Sequence, residues 1–121
     1  MRLVSLCPSL TELVFDLGGG AELVGRTRYC IHPADQVGGV EEVGGTKDPD
    51  VARIVELAPV LVLFNEEENR QEDHEALVEA GVPCQNTFPK DALETAVMVR
   101  EVGAALGRSE AAAGIADDIV R

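Results

Sequence analysis

Residues 50–64, DVARIVELAPVLVLF, hold a helix pattern and a strand pattern side by side, and together they decide the fold class. Asp50 is a typical helix N-cap, and Pro59 ends the helix that follows it. The apolar face of that helix consists of Val51, Ile54, Val55 and Ala58. Residues 60–64 then form an uninterrupted apolar run of strand length, which indicates a strand covered on both faces.

The rest of the chain repeats this alternation of strand and helix. Strands are predicted at residues 2–6, 22–27, 60–64 and 82–88. Helices are predicted at residues 9–17, 50–58, 69–80, 91–106 and 108–121. We therefore expect an α/β fold, a three-layer Rossmann-like lobe with a mainly parallel sheet of about four strands and helices on both faces.

Local sequence patterns predict where the helices begin and which of their faces are buried. Ser9 with Glu12, and Asn69 with Glu72, match the capping box, in which a cap side chain and an acid three residues later satisfy free N–H groups. The inward face of the first helix is predicted to be Leu10, Leu13, Val14 and Leu17. For residues 91–106 the predicted inward face is Leu93, Ala96, Val97 and Leu106. The last helix has no C-terminal glycine or proline stop, so we expect either that the chain normally continues beyond it or that its apolar stripe meets a partner. That stripe consists of Ala112, Ile115 and Ile119.

Charge restricts the classes of partner. The chain has 121 residues, which fits one domain, and 10 Lys and Arg against 22 Asp and Glu give a net charge of −12. A nucleic-acid binder needs a basic surface, so nucleic acid is not expected as a partner. The same charge argues against binding to an anionic membrane surface.

Cysteine usage bears on the compartment. Cys7, Cys30 and Cys84 have no CxxC spacing. An odd number of cysteines without a signal peptide is typical of free thiols in a reducing compartment. The sequence as written is therefore expected to be cytoplasmic, and periplasmic or extracellular if Met1 replaced a removed signal.

Four stretches carry a resemblance to a known family: RLVSLCPSLTELVFDLG, LVGRTRYCIHP, VGGTKDPDVARIVELAPVLVLF and ALVEAGVPCQNTF. They resemble the N-terminal lobe of the helical-backbone (class III) substrate-binding proteins, the receptors of ABC importers for cobalamin and iron-siderophores. The resemblance covers residues 2–106 and implies two lobes joined by a long helix, with ligand between them. Residues 1–107 would be the N-terminal ligand-binding lobe, and residues 108–121 the start of the connecting helix, with the second lobe absent.

The resemblance also implies a ligand-binding rim, at the carboxyl ends of the strands where open parallel sheets bind their ligands. Tyr29 matches a tyrosine that contacts the ligand in cobalamin receptors. Thr46 and Asn65 stand where the family often has ligand-facing aromatic residues. The predicted rim consists of Pro8, Ser9, Tyr29, Thr46, Lys47, Asn65 and Glu66.

The function implied is non-enzymatic binding of a small molecule, a corrinoid or another metal chelate, with no covalent cofactor. Cobalamin and an iron-siderophore are the expected ligands, and an ABC permease is the expected partner. Ala52 stands where the family has the carboxylate that contacts the permease, so docking is expected to be weak or altered. The alternative is a cytoplasmic sensor or interaction domain that reuses the fold, with the half-site as a dimer contact and a homodimer formed through the last helix.

A third hypothesis is a thiol or metal enzyme built on Cys7, Cys30 and His32. Thiolate and imidazole suit zinc or copper, which makes Cys30 and His32 the candidate metal ligands. A closed zinc site needs four ligands, and the sequence groups only this pair. The pair is more typical of a packed cysteine and a rim histidine, so no metal site is expected.

Overall fold

The computed structural model describes residues 1–120. In that range the strands are β1 Leu3–Ser5, β2 Leu23–Arg26, β3 Leu61–Asn65 and β4 Cys84–Thr87. The helices are α1 Pro8–Asp16, α2 Ala34–Val37, α3 Val51–Leu57, α4 Gln71–Glu79, α5 Ala92–Ala105 and α6 Ser109–Ile119. A 3₁₀ turn, Gly20–Glu22, leads into β2.

The strands of the described residues form a single four-stranded parallel sheet in the order β2-β1-β3-β4. Leu3 of β1 pairs with Leu23 on one side and Leu61 on the other. The chain winds outward from β1 in both directions, so the connection order reverses between β1 and β3. A crevice at the carboxyl ends of such a pair is where open α/β sheets bind ligands.

Each face of the sheet carries its own apolar core, which confirms the predicted three layers. Successive strand residues point to opposite faces. Leu3 and Leu63 therefore pack with α1, α5 and α6, and Val4 and Val62 pack with α3 and α4. Val62 and Leu63, which point to opposite faces, are both fully buried, and this confirms a strand covered on both faces. The strand begins at Leu61, and Val60 before it is exposed.

Both predicted capping boxes are wrong. Helix α1 begins two residues earlier than the box implies, with Cys7 as N-cap and Pro8 in the first turn. Proline suits that position because it has the helical φ and its missing N–H would have no helical partner. Helix α4 begins after Arg70, and the Asn69 side chain turns away from the helix toward the end of the sheet. Asp50, in contrast, caps α3 as predicted by accepting from Arg53 N at 3.1 Å.

The inward face of α5 is only partly as predicted. Ala96 and Leu106 are buried, but Leu93 and Val97 are 69% and 54% exposed. Packing against α6 turns the helix, so that its buried residues are Ala96, Val99, Val102 and Gly103. A Cβ on Gly103 would collide with the Cβ of Ala112, so the two helices approach closely at this glycine.

The face of α6 is therefore partly occupied within the lobe. Ala112 and Ala116 are buried against α5, while Ile115 and Ile119 are half-buried beside the same core. Arg121, the last residue of the predicted helix, lies outside the described residues. Within residues 1–120, none of the helices has the length and apolar content needed to cross a bilayer.

Candidate functional site

The carboxyl ends of the parallel strands lie at one edge of the sheet and bring distant segments together there. Residues 6–9 follow β1, residues 27–33 follow β2 and residues 66–70 follow β3. Residues 44–50 join the same edge because Val43 N donates to Arg26 O, at the end of β2, over 2.7 Å. All the residues of the predicted rim lie in these segments or at the end of β3.

Asn69 is the buried centre of this edge, with 5% of its surface exposed. Its Oδ1 accepts from Asn65 N at 2.8 Å. Its Nδ2 donates to Leu6 O at 2.8 Å and to Thr46 O at 3.1 Å. One side chain thus connects the ends of β1 and β3 with the loop that carries Thr46.

The turn after β3 is held by its own side chains and by the neighbouring loop. Asn65 Oδ1 accepts from Glu67 N at 2.9 Å and from Glu68 N at 3.0 Å. The side-chain oxygen of Asn65 therefore stabilises the turn. Lys47 Nζ donates to Glu67 O at 2.9 Å. Glu66 is exposed at the start of the turn. The structure therefore brings Thr46, Lys47, Asn65 and Glu66 together around Asn69.

Tyr29 joins this group through its neighbour Arg28. Arg28 N donates to Gly44 O at 2.9 Å, and its guanidinium contacts the Asp48 carboxylate at 3.1 Å. The same guanidinium lies 5.1 Å from the centroid of the Tyr29 ring. The hydrogen bond that Arg28 donates to Asp48 raises the pKa of Arg28 above its ordinary value. Tyr29 itself is 53% exposed, so its ring is presented to solvent beside a cation.

The loop that carries Tyr29 is anchored from inside the protein by Arg26. This side chain is 8% exposed. Its Nε donates to Val40 O at 3.0 Å, and its Nη1 donates to Cys30 O at 3.1 Å. An exposed carboxylate, Glu42, lies 3.6 Å from the same guanidinium. The buried cation thus connects Cys30, in the segment that follows β2, with Val40.

Cys30 and His32 are not arranged as a pair of metal ligands. Cys30 is buried, and its Sγ lies 3.0 Å from Thr11 Oγ1 and 3.1 Å from Thr27 Oγ1. His32, two residues later, is exposed. Within residues 1–120, no group of three or more His, Cys, Asp or Glu side chains has a metal-binding arrangement.

The thiols are equally unsuited to act as nucleophiles. Cys7 and Cys30 are 2% and 1% exposed. Burial raises the pKa of the Cys84 thiol, which disfavours its reactive thiolate. The geometry gives no support to the hypothesis of a thiol enzyme.

The end of β1 contributes Pro8 and Ser9 to the edge. Pro8 is half-buried and Ser9 is exposed, and Ser9 Oγ lies 3.2 Å from Cys7 Sγ. Ser9 also lines a groove of about 270 Å³ between α1, α5 and α6, which does not include Tyr29 or Thr46. The candidate site is therefore defined by its contacts at the sheet edge and not by that groove.

Sequence reasoning missed the residues that build the site from below. Arg26 falls in the predicted second strand and Arg28 directly after it, and neither is singled out, while Asn69 is interpreted as a helix cap. The one available signal was position, because each of them lies within five residues of a predicted strand end. Position alone does not distinguish a buried polar residue from an exposed one.

The comparisons with known proteins agree on a family. The family model described as periplasmic binding protein matches residues 3–121. A vitamin B12-binding protein of Yersinia pestis is 34% identical over 88 residues, which are 73% of this chain and 31% of that protein. This chain therefore spans about a third of the length of that curated relative.

Solved structures give the same result. The periplasmic haem-binding protein of Roseiflexus sp. RS-1, in its apo form, is 28% identical with a TM-score of 0.87, and the match covers 96% of this chain and 44% of that one. A periplasmic haem-binding protein of Pseudomonas aeruginosa is 27% identical with a TM-score of 0.89, over 97% of this chain and 42% of that one. The relatives named here are binding proteins and not enzymes, and the resemblance drawn from the sequence is confirmed. The chain belongs to the periplasmic binding protein family.

Proposed function

We propose that this chain is a ligand-binding lobe for a planar, metal-bound tetrapyrrole, a corrinoid or haem, in the binding protein of an ABC importer. The ligand class is supported by the relatives, one named for vitamin B12 binding and two for haem binding. An iron-siderophore, the other ligand that the resemblance implies, has less support among these relatives. Binding without chemical conversion is the corresponding activity.

The observation that carries the proposal is the exposed ring of Tyr29 beside Arg28 at the carboxyl edge of the sheet. A flat aromatic face suits a flat macrocycle, and a phenolic oxygen is also a known axial ligand of haem iron. Ligand sites combine such apolar surface with a few polar groups that fix orientation. We propose that Ser9, Thr46 and Lys47 supply those polar groups.

The remaining rim residues complete the proposed contact surface. Pro8 shapes the loop after β1, and Asn65 and Glu66 form the side of the rim that follows β3. Residues 1–107 would form the lobe and residues 108–121 the beginning of the helix that connects it to a second lobe. A homodimer through the last helix stays a prediction, and the half-buried Ile115 and Ile119 are the side chains that it would use.

An ABC permease is the proposed macromolecular partner, and a periplasmic location fits that partner better than a cytoplasmic one. Ala52 is exposed on α3, where the resemblance places the docking carboxylate. Arg53 beside it contacts Glu41 at 2.6 Å and Glu56 at 3.6 Å, so these nearby carboxylates are already paired. We therefore propose that docking on this lobe is weaker than in relatives with an acidic residue at position 52.

The chain offers a direct test, because Tyr29 is its one tyrosine and it has no tryptophan. Intrinsic tyrosine emission therefore reports on Tyr29 alone. Titration with cyanocobalamin and, separately, with haemin should quench this emission saturably with one of the two ligands. Native mass spectrometry should show the same ligand bound in a 1:1 complex, and free N-acetyltyrosinamide corrects for light absorbed by the ligand.

The variant Tyr29→Ala tests the site within the same mass-spectrometric assay. It should lower the affinity at least tenfold, whereas Val78→Ala should not change it. Val78 is 57% exposed in the last turn of α4, away from the rim. If neither ligand binds the unmodified chain, the proposed function is wrong.

A further inference from the structure

Asn69 commits its whole carboxamide to the backbone of the rim. The group has two donor hydrogens on nitrogen and an acceptor oxygen. Its contacts with Leu6 O, Thr46 O and Asn65 N use both hydrogens and the oxygen. Being buried, the side chain is shielded from solvent and from any ligand on the rim.

These contacts join segments that are far apart in the sequence. Leu6 is 63 residues from Asn69, and Thr46 is 23 residues away. The Thr46 loop is in turn joined to the Tyr29 loop through the Arg28 contacts with Gly44 and Asp48. The Asn69 carboxamide therefore links the Thr46 loop, and through it the Tyr29 loop, to the ends of β1 and β3.

We propose that Asn69 is a positioning residue for the ligand, an inference that rests on the proposed function. It sets the spacing of the rim segments and does not touch the ligand. Its loss would leave the buried carbonyl oxygen of Leu6 and the part-buried carbonyl oxygen of Thr46 without this donor, and an unpaired buried acceptor is costly. The Thr46 loop would then separate from the end of β1 and carry Tyr29 with it.

The variant Asn69→Asp isolates this role because it preserves the shape of the side chain. The introduced carboxylate can still accept from Asn65 N, but it cannot donate to Leu6 O or Thr46 O. We expect amide hydrogen exchange to rise at least tenfold in residues 44–50 and 65–69 and to stay unchanged in α5. We expect the affinity for cyanocobalamin or haemin, whichever binds the unmodified chain, to fall at least tenfold.

The control is Leu106→Ala, which creates a cavity in the other core, on the face of the sheet that carries α1, α5 and α6. It lowers global stability without touching a rim contact. Ligand affinity and exchange in residues 44–50 should remain those of the unmodified chain under conditions where both variants are fully folded. A purely structural role of Asn69 would give the same affinity in both variants.

The outcomes separate this inference from the proposed function. Unchanged exchange in residues 44–50 of Asn69→Asp, or raised exchange with unchanged affinity, overturns the positioning role. If the unmodified chain binds neither ligand, the proposed function fails, and the exchange comparison alone decides whether Asn69 fixes the rim. If Asn69→Asp does not fold, NMR of the unmodified chain decides. Rapid exchange of the side-chain N–H hydrogens of Asn69 with solvent would contradict its positioning role.

Discussion

Arg26 is a buried cation whose close partners are mostly main-chain oxygens. Its guanidinium donates to the carbonyls of Val40 and Cys30, and its carboxylate neighbour, Glu42, is exposed and more distant. Hydrogen bonds from a charged donor contribute more to stability than neutral ones. Removing the donor of a buried carbonyl is especially costly in free energy, because the carbonyl is left without a partner. This residue therefore stabilises the loop that presents Tyr29 more than a surface arginine would.

The prediction at this scale compares two arginine substitutions. Arg26→Met should lower the free energy of unfolding by about 2–4 kcal/mol, because both carbonyls lose a charged donor in a buried site. Arg100→Met should lower it by about 0.2–1 kcal/mol, since exposed ion pairs contribute little. Arg100 pairs with Asp117 at 2.7 Å, and both side chains are at least half exposed. Urea unfolding of the two variants measures the difference, and equal costs would contradict the assigned role of Arg26.

Single residues also mark where prediction of the site from sequence stops. Tyr29 is expected on the rim from the resemblance and from its position after a strand. The structure leaves its ring exposed, and its contact with a ligand stays a prediction. Asn69 could not be placed, because an asparagine shortly before a helix has the same pattern whether it caps the helix or turns inward. The choice is made by contacts with Leu6 and Thr46, which no local pattern encodes.

The elements were predictable where periodicity alone determines them. The strands and the larger helices lie where the alternation placed them, and the sheet is parallel as expected. Errors occurred where a second contact competes with the local pattern. Pro8 moved the start of α1, and the contact with α6 turned Leu93 and Val97 of α5 to the outside.

The contact between α5 and α6 predicts that two glycine-to-alanine substitutions change the stability of the protein in opposite directions. Gly103→Ala should destabilise the protein by about 1–3 kcal/mol, because the new Cβ meets Ala112 and the core is overpacked. Gly114→Ala, within α6, should stabilise it by about 0.5–1 kcal/mol, since nothing lies near its Cβ position and alanine favours the helix. Thermal unfolding of both variants provides the measurement. A Gly103→Ala variant that is as stable as the unmodified chain would mean that the helices are not in close contact at Gly103.

Charge acts on the molecule as a whole. The net charge of −12 produces repulsion across the surface, which opposes the compact state. Ion pairs work against this locally. Glu41, for example, has its pKa lowered by the hydrogen bond from Arg53. When the pKa of a carboxyl group is lower in the folded protein than in the unfolded chain, the ionised group stabilises the fold. This stabilisation is fully present above the pKa of the unfolded chain and is lost as the pH falls through the pKa of the folded protein.

The resulting prediction concerns salt. Adding NaCl at pH 7 should raise the midpoint of thermal unfolding, because the Debye length falls from about 30 Å at 0.01 M to about 8 Å at 0.15 M and screens the repulsion. Near the isoelectric point of about 4.4 the same addition should have a much smaller effect, since the net charge is close to zero. A midpoint at pH 7 that falls with salt would indicate that attractive ion pairs, and not net repulsion, dominate the electrostatics.

The carboxamide of Asn69 binds main-chain atoms only, and this has a consequence for the selectivity of the proposed ligand site. The atoms that it holds belong to the backbone at Leu6, Thr46 and Asn65 and are the same whatever side chain those positions carry. The half-exposed Thr46 can therefore be exchanged for another residue without removing these hydrogen bonds. In evolution or by engineering, substitutions at this edge can therefore change ligand selectivity while the buried hydrogen bonds of Asn69 are retained.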